Sequence, residues 1–131
     1  MRILHSLIVA LFLMALLGLT ACGGSQGEDP AQDSSQVGTG AAGQQDFERA
    51  CSVCHGPTGE GVPGLGKDMT TSQFIAGKTD HELVEFIKTG RNPSDPLNTT
   101  GVAMPPKGGN PGLTDQDLYD IVAYIRVLQE E

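Results

Sequence analysis

The sequence predicts a small all-α domain, in which three or more helices are joined by loops rich in glycine and proline. Apolar residues recur at helical spacing in three segments, and no segment alternates as a half-buried strand would. The 131 residues include 18 Gly and 8 Pro, 5% are aromatic, and none is Trp. That composition is poor in bulky core residues. Small domains with a small core often need additional stabilisation, for example from a bound cofactor. A bound cofactor would supply the missing apolar bulk.

The first two helices are predicted from apolar spacing and capping residues. The first runs from about Gln45 into Cys54. The second begins near Thr79, since Thr79 and Glu82 have the spacing of a capping box, and Gly90 is placed to end it. Three apolar residues stripe one face of this helix, namely Leu83, Phe86 and Ile87.

The third helix is predicted to start at Thr114. Asp115 and Asp117 lie in its first turn, where negative side chains suit the helix dipole. Its buried face is predicted to consist of Leu118, Ile121, Val122, Ile125 and Leu128.

The formal net charge of −8 argues against nucleic acid as a partner, because binding phosphates needs clustered Lys and Arg. An acidic chain instead favours partners that carry a basic docking patch. The three cysteines are an odd number, so a framework of disulfides alone would leave one unpaired.

Residues 1–21 are predicted to be a signal peptide. Arg2 supplies the positive start, and residues 3–19 are nearly all apolar. The Leu-Thr-Ala-Cys at 19–22 then resembles the lipobox of bacterial lipoproteins, in which cleavage precedes the cysteine and its thiol carries a diacylglycerol. This predicts lipidation of Cys22 and a place at the cell membrane, on the periplasmic or other extracytoplasmic face. An uncleaved anchor is the alternative, because about twenty apolar residues can just span a bilayer.

Residues 22–44 are predicted to form a lipidated, flexible tether, and residues 45–131 the folded domain. The tether consists mainly of Gly, Ser, Gln, Ala and Asp. Such a chain cannot bury enough surface to offset the entropy of ordering it. A flexible segment of this length has a typical end-to-end distance of roughly 25 Å, so the domain would move between neighbours close to the membrane.

The most informative motif is Cys-Ser-Val-Cys-His at residues 51–55. The pattern C-x-x-C-H is typical of covalent haem c attachment. On a helical turn Cys51 and Cys54 share a face, so both sulfurs can reach the two vinyl groups of one porphyrin. His55 follows on the same side and can place an imidazole nitrogen on the iron. The single motif predicts one covalent haem c.

Other uses of these residue types fit the sequence less well. A thioredoxin-like redox pair shares the C-x-x-C spacing, but it belongs to a βαβ unit that this sequence does not predict. A zinc site would need a fourth ligand and usually a second pair. Residues 59–64 match the pattern G-x-G-x-x-G, which indicates dinucleotide binding only between a strand and a helix.

The iron needs a second axial ligand or stays open on one side. Met104 is the leading candidate, because the two prolines after it fix the backbone and can hold a thioether at a set distance. Met69 and His81 remain alternatives. Met69 follows His55 closely and would have to cross to the opposite haem face, and His81 falls in the first turn of a predicted helix, where a solvent-facing side chain is more usual.

Residues 43–129 together resemble a class I, monohaem c-type cytochrome. The resemblance rests on Phe47 ahead of C-x-x-C-H, a Pro-Gly-Leu turn at 63–65, Met-Pro-Pro at 104–106, and Asp-Ile-Val-Ala-Tyr-Ile-Arg at 120–126 in the final helix. It implies the small class I cytochrome c fold, with helices and Gly- and Pro-rich loops wrapped around one covalently attached haem.

The resemblance also implies roles for particular residues. The first and last helices are expected to cross where Gly43 and Phe47 meet Ile121 and Tyr124. The carbonyl of Pro63 is expected to accept a hydrogen bond from the imidazole of the haem-binding histidine, which would orient that ring and tune the iron. No sequence pattern identifies the groups that bind the haem propionates. Arg91 is named as a candidate for that role.

The implied function is one-electron transfer by a membrane-anchored cytochrome in a bacterial respiratory or photosynthetic chain, without enzymatic activity. Ligation by His and Met saturates the iron and raises its potential. The expected partners are redox proteins, such as an integral membrane quinol-oxidising complex or a terminal oxidase. One alternative is a haem c subunit of an assembly similar to alternative complex III. The other is a small haem peroxidase or gas sensor with an open iron site.

Overall fold

The computed structural model describes residues 38–130, and in this range the secondary structure is helical. The α-helices are α1 (Gly40–Ala50), α2 (Ser52–His55), α3 (Gln73–Ala76), α4 (Asp80–Thr89) and α5 (Asp115–Leu128), with a 3₁₀ turn at Pro106–Gly109. Extended pairing within residues 38–130 is limited to two isolated bridges, Val62 with Gly66 and Arg91 with Met104. The predicted all-α fold is confirmed.

The predicted signal peptide and the lipidation site Cys22 lie outside the described residues, as does the tether up to residue 37. Among the helices of residues 38–130, none has the length and apolar character needed to cross a bilayer.

Helices α1 and α5 cross at the centre of the domain. Phe47 is fully buried there, and its ring meets that of Tyr124 edge to face, with 5.3 Å between the ring centroids. A Cβ atom on Gly43 would lie 1.8 Å from the carbonyl oxygen of Asp120, so glycine alone lets the two backbones approach this closely. The crossing that the family resemblance implied is therefore present in the structure.

The predicted boundary between tether and domain is too late in the sequence. Helix α1 begins at Gly40, inside the segment predicted to be tether, and the backbone N–H of Thr39 donates to Asp120 Oδ1 at 2.6 Å. The Gly-Ala-Ala-Gly run at 40–43 has the composition of a linker, but its two glycines, Gly40 and Gly43, face α5 at close range. Helix α1 also ends earlier than predicted, because Cys51 separates it from the short α2.

The predicted starts of α4 and α5 are confirmed by complete capping boxes. The Thr79 hydroxyl accepts from the backbone N–H of Glu82, and the Glu82 carboxylate accepts in return from the N–H of Thr79. Thr114 and Asp117 repeat the arrangement at α5. These hydrogen bonds to Thr79 and Thr114 lower the pKa of the Glu82 and Asp117 carboxyls. Gly90 ends α4 with φ of 72°, as predicted.

The core lies between α1, α4 and α5. All five residues predicted to form the buried face of α5 are buried. In α4, Leu83 and Ile87 are buried and Phe86 packs partly buried against them. The core as a whole comprises Phe47, Met69, Ile75, Leu83, Val84, Ile87, Leu113, Leu118, Tyr119, Ile121, Val122, Ile125 and Leu128.

Helix α3 is absent from the sequence prediction, and the end of α5 holds the segment that contains it. The Arg126 guanidinium donates to the carbonyls of Ile75 and Lys78 and pairs with the Asp80 carboxylate at 3.0 Å. Gln129 donates to the carbonyls of Met69 and Ser72, each at 3.2 Å. Residues 69–80 are thereby fixed against α5.

Candidate functional site

A largely apolar cavity of about 330 Å³ opens beside the end of α1. One wall comes from α1 and α2, a second from the loop and short helix at 65–75, and a third from α4 and residues 91–105. The cavity is lined by the four residues predicted to hold the cofactor and its iron, which are Cys51, Cys54, His55 and Met104. Its other side chains include Leu65, Met69, Phe74, Ile75, Leu83, Phe86, Ile87, Arg91, Leu97, Val102 and Ile125.

The C-x-x-C-H motif forms a helical turn at the end of α1. Cys51 caps α1 through its N–H, which donates to the carbonyl of Phe47 at 2.8 Å. The N–H groups of Cys54 and His55 in turn donate to the Cys51 carbonyl, at 3.1 and 3.0 Å. The two thiols and the imidazole are consequently held on one short turn beside the same cavity.

The imidazole of His55 is oriented by a backbone carbonyl. Its Nδ1 lies 2.8 Å from the carbonyl oxygen of Lys67. A carbonyl oxygen only accepts hydrogen bonds, so Nδ1 must carry the proton, and the lone pair is left on Nε2. Neutral imidazole with a free Nε2 is the form that ligates a metal.

The prediction that Pro63 supplies this carbonyl is wrong. Residues 62–66 form a tight turn, closed by reciprocal backbone hydrogen bonds between Val62 and Gly66 at 3.0 and 3.1 Å. Pro63 lies at the exposed corner of that turn and does not line the cavity. The chain returns toward the motif only after the turn, so the carbonyl of Lys67 reaches the ring. The approach is close enough that a Cβ on Gly66 would lie 2.1 Å from the Cys54 carbonyl oxygen.

Met104 is held by a reciprocal backbone pair with Arg91. The N–H of Arg91 donates to the Met104 carbonyl at 2.8 Å, and the N–H of Met104 donates to the Arg91 carbonyl at 3.0 Å. This bridge ties the segment before Pro105 to Arg91, which lies two residues beyond the end of α4. Met104 is partly buried against the core.

The side chain of Arg91 supplies a buried cation in the cavity wall. Its guanidinium lies 4.7 Å from the ring centroids of both Phe74 and Phe86, and its side chain is 12% exposed. The Nε atom is 3.4 Å from Asp95 Oδ2, yet it is buried without a hydrogen-bond partner. A buried donor of this kind suits an anionic group inside the cavity, as a haem carboxylate would be.

Of the two other candidate axial ligands, Met69 lines the cavity and His81 does not. Met69 lines the cavity but belongs to the loop on the His55 side, where its N–H donates to the carbonyl of Gly59 at 2.7 Å. His81 is not among the lining residues. Its Nδ1 lies 3.1 Å from the Tyr119 hydroxyl, between α4 and α5.

The thiol of Cys51 does not suit a redox pair. Burial, together with the negative charge of Asp46, raises its pKa to about 12. Disulfide oxidoreductases need the opposite shift, because the thiolate is the reacting form. A thioether needs no such thiolate once formed, so this apolar position suits covalent attachment of a cofactor.

The fold and the cavity together define a class of protein, a small all-α domain built to enclose a covalently attached, planar metal cofactor. The chain belongs to the cytochrome c family, whose model matches residues 40–129. The match begins at the observed start of α1.

Relatives support the assignment along the whole domain. The chain is 33% identical over 85 residues to cytochrome c-555 of Chlorobaculum thiosulfatiphilum, covering 65% of this chain and 91% of the relative. It is 32% identical over 89 residues to cytochrome c-551 of Bacillus subtilis, covering 66% and 74%. Cytochrome c-555 of Chlorobaculum tepidum is 32% identical over 85 residues, with 65% and 72% covered. No solved structure matches the chain significantly.

Family membership implies one covalently attached haem c and a role as an electron carrier. The cavity fits that group, because it combines apolar walls, two thiols, an imidazole with its Nε2 free, a thioether and a buried guanidinium. The sequence pattern did not predict the roles of Lys67 and Phe74. A backbone carbonyl can come from any residue type, so composition gives no signal for the first.

Proposed function

We propose that the protein transfers one electron at a time in a bacterial respiratory or photosynthetic chain, with a haem joined by thioethers to Cys51 and Cys54 and ligated by His55 and Met104. The observation that carries the proposal is that these four side chains line one apolar cavity. Its partners would be membrane redox proteins, such as a quinol-oxidising complex or a terminal oxidase.

The chain's own residues would bind, orient and shield the cofactor. When bound, the haem supplies one-electron redox chemistry at its iron. The Lys67 carbonyl fixes the tautomer of His55, and the Arg91 bridge fixes the backbone of Met104. The apolar walls restrict water, which tunes the potential of the site. Val53, between the two cysteines, is 73% exposed, so a partner can approach the chain beside the attachment points.

The choice of Met104 over the other candidates rests on which wall each occupies. The ligand opposite His55 must come from a segment other than the 65–75 wall, because the Lys67 carbonyl of that wall already holds the imidazole. Met69 is tied to the loop on the His55 side, and His81 lies away from the cavity. Met104 comes from the separate segment paired with Arg91.

A visible to near-infrared spectrum of the purified, oxidised protein tests this proposal. We expect a low-spin c-type spectrum with the weak charge-transfer band from a thioether to ferric iron, because His and Met together saturate the iron. A high-spin spectrum without that band would show an open iron site and would favour a peroxidase or a gas sensor instead.

We infer further that a diacylglycerol on Cys22 anchors the protein to the membrane. The inference is supported by the Leu-Thr-Ala-Cys run at 19–22 and by the position of Cys22 upstream of the segment that matches the family. Two lipid signals give stable anchoring, whereas a single acyl chain gives only marginal binding.

Replacing Cys22 with Ser is expected to move the protein from the membrane to the soluble fraction. Ser25→Ala, outside the lipobox, is the matched control and should stay with the membrane. An uncleaved signal peptide could retain the Cys22→Ser variant, so the intact mass of the wild-type amino terminus must be measured as well. A wild-type mass without diacylglycerol on Cys22 would contradict the proposal.

A further inference from the structure

The loop at residues 92–102 is a compact unit that lines one side of the cavity mouth. Asn98 joins its two ends, since its side-chain amide donates to the carbonyls of Asn92 at 3.2 Å and Val102 at 2.8 Å. The Asn98 side-chain oxygen accepts in turn from the N–H groups of Thr100 and Gly101. These four hydrogen bonds of one side chain join the two ends of the loop to its centre.

The base of this loop is the reciprocal backbone pair between Arg91 and Met104. A displacement of the loop would therefore act directly on Met104. Gly90 and Gly101, at the two ends of the segment, have φ of 72° and 73°, a conformation that glycine adopts without strain.

Lys67 connects this loop to the opposite side of the cavity mouth. Its ammonium group donates to the carbonyl of Leu97 at 2.9 Å, and both residues line the cavity. The hydrogen bonds that the structure describes for the side chains of residues 92–102 lie within the loop, and the Asp95 carboxylate also pairs with Arg91 at its base. The backbone carbonyl of Lys67 is also the group that accepts from His55. One residue thus contacts both the histidine and the loop that leads to Met104.

We propose that Lys67 is a positioning residue that fastens the 92–102 loop and so keeps Met104 in place against external ligands. The inference rests on the proposed ligation by Met104. Its physical basis is that an external ligand would compete with Met104 for the iron, and the backbone of Met104 is paired at the base of the loop that Lys67 holds. The side chain of Lys67 acts on the loop, while its backbone acts on His55, so a side-chain substitution leaves the His55 hydrogen bond intact.

Imidazole binding to the oxidised, haem-loaded full-length protein tests the proposal. We expect Lys67→Leu, which lacks a donor, to bind imidazole on the order of three- to tenfold more tightly than the wild type, the equivalent of one exposed, charge-assisted hydrogen bond. Lys67→Arg keeps a donor and is expected to restore the wild-type affinity. The thermal midpoint should change little in either variant, because the side chain is exposed.

Lys78→Leu is the matched control for the lost charge. Its ammonium group lies 4.9 Å above the ring of Phe74, which lines the cavity, and none of the hydrogen bonds or ion pairs described for residues 38–130 joins it to the 92–102 loop. Imidazole affinity of Lys78→Leu should stay within roughly twofold of the wild type. An equal gain in both variants, or no gain in Lys67→Leu, would overturn the proposal. The near-infrared band of the wild type distinguishes failure of this proposal from failure of the proposed function. Absence of the band would refute ligation by Met104 itself.

Discussion

Replacing Met104 with Ala is expected to leave the haem attached while the reduction potential falls by on the order of a few tenths of a volt. Axial ligands set haem potentials over about 0.8 V, and methionine raises the value. The attachment should survive because the proposed thioethers are made by Cys51 and Cys54. The near-infrared thioether band should disappear, and the reduced variant should bind carbon monoxide. Potentiometric titration and the two optical spectra measure all three effects.

Met69→Ala is the matched control for that experiment. Met69 lines the same cavity and is 8% exposed, so its loss should cost stability, about 2–5 kcal/mol for a buried methionine. The near-infrared band should remain. If the band were lost in Met69→Ala and kept in Met104→Ala, the assignment of the two methionines would be reversed.

Gly43→Ala is expected to destabilise the domain by about 3 kcal/mol, the upper part of the usual range for overpacking. The new Cβ would lie 1.8 Å from the Asp120 carbonyl oxygen and 2.7 Å from the Ile121 nitrogen. Both are backbone atoms, so a rotamer change cannot relieve the clash, and α1 must move away from α5. Guanidinium unfolding of the haem-loaded protein, followed by circular dichroism, measures the loss.

The same substitution at Gly40 provides the control within the same helix. A Cβ there would have its closest contact with Val127 Cγ2 at 3.5 Å, an ordinary van der Waals distance. Because alanine favours helix more than glycine does, Gly40→Ala should be neutral or stabilise by up to about 1 kcal/mol. Equal unfolding midpoints for Gly43→Ala and the wild type would show that α1 and α5 do not meet as described.

The parts of the fold that the sequence predicts are those governed by short-range rules. The capping boxes at Thr79 and Thr114 need only residues three apart, and both form. The spacing of the apolar residues in α5 predicts which face is buried, whatever other segment packs against that face. The C-x-x-C-H motif likewise lies within a single turn, so its geometry follows from helix periodicity alone.

The parts that the sequence does not predict depend on contacts between distant segments. The helical start at Gly40 is stabilised by α5, and its composition alone is that of a linker. Helix α3 has four residues, too few for a periodic signal, and is held by Arg126 from the other end of the domain. The partner of His55 depends on the path of the chain after the turn at 62–66, which local sequence rules do not determine.

Helix α1 separates the place where the chain enters the domain from the place where the cofactor is attached. Its entry is fixed by the contact between Thr39 and Asp120, and its 11 residues span about 16 Å before Cys51. The entry of the chain and the cysteine end of α1 therefore lie at two separate places in the domain. A partner that docks beside Val53 would then leave the Thr39 end of α1 uncovered, so docking need not disturb the contact by which the chain enters the domain.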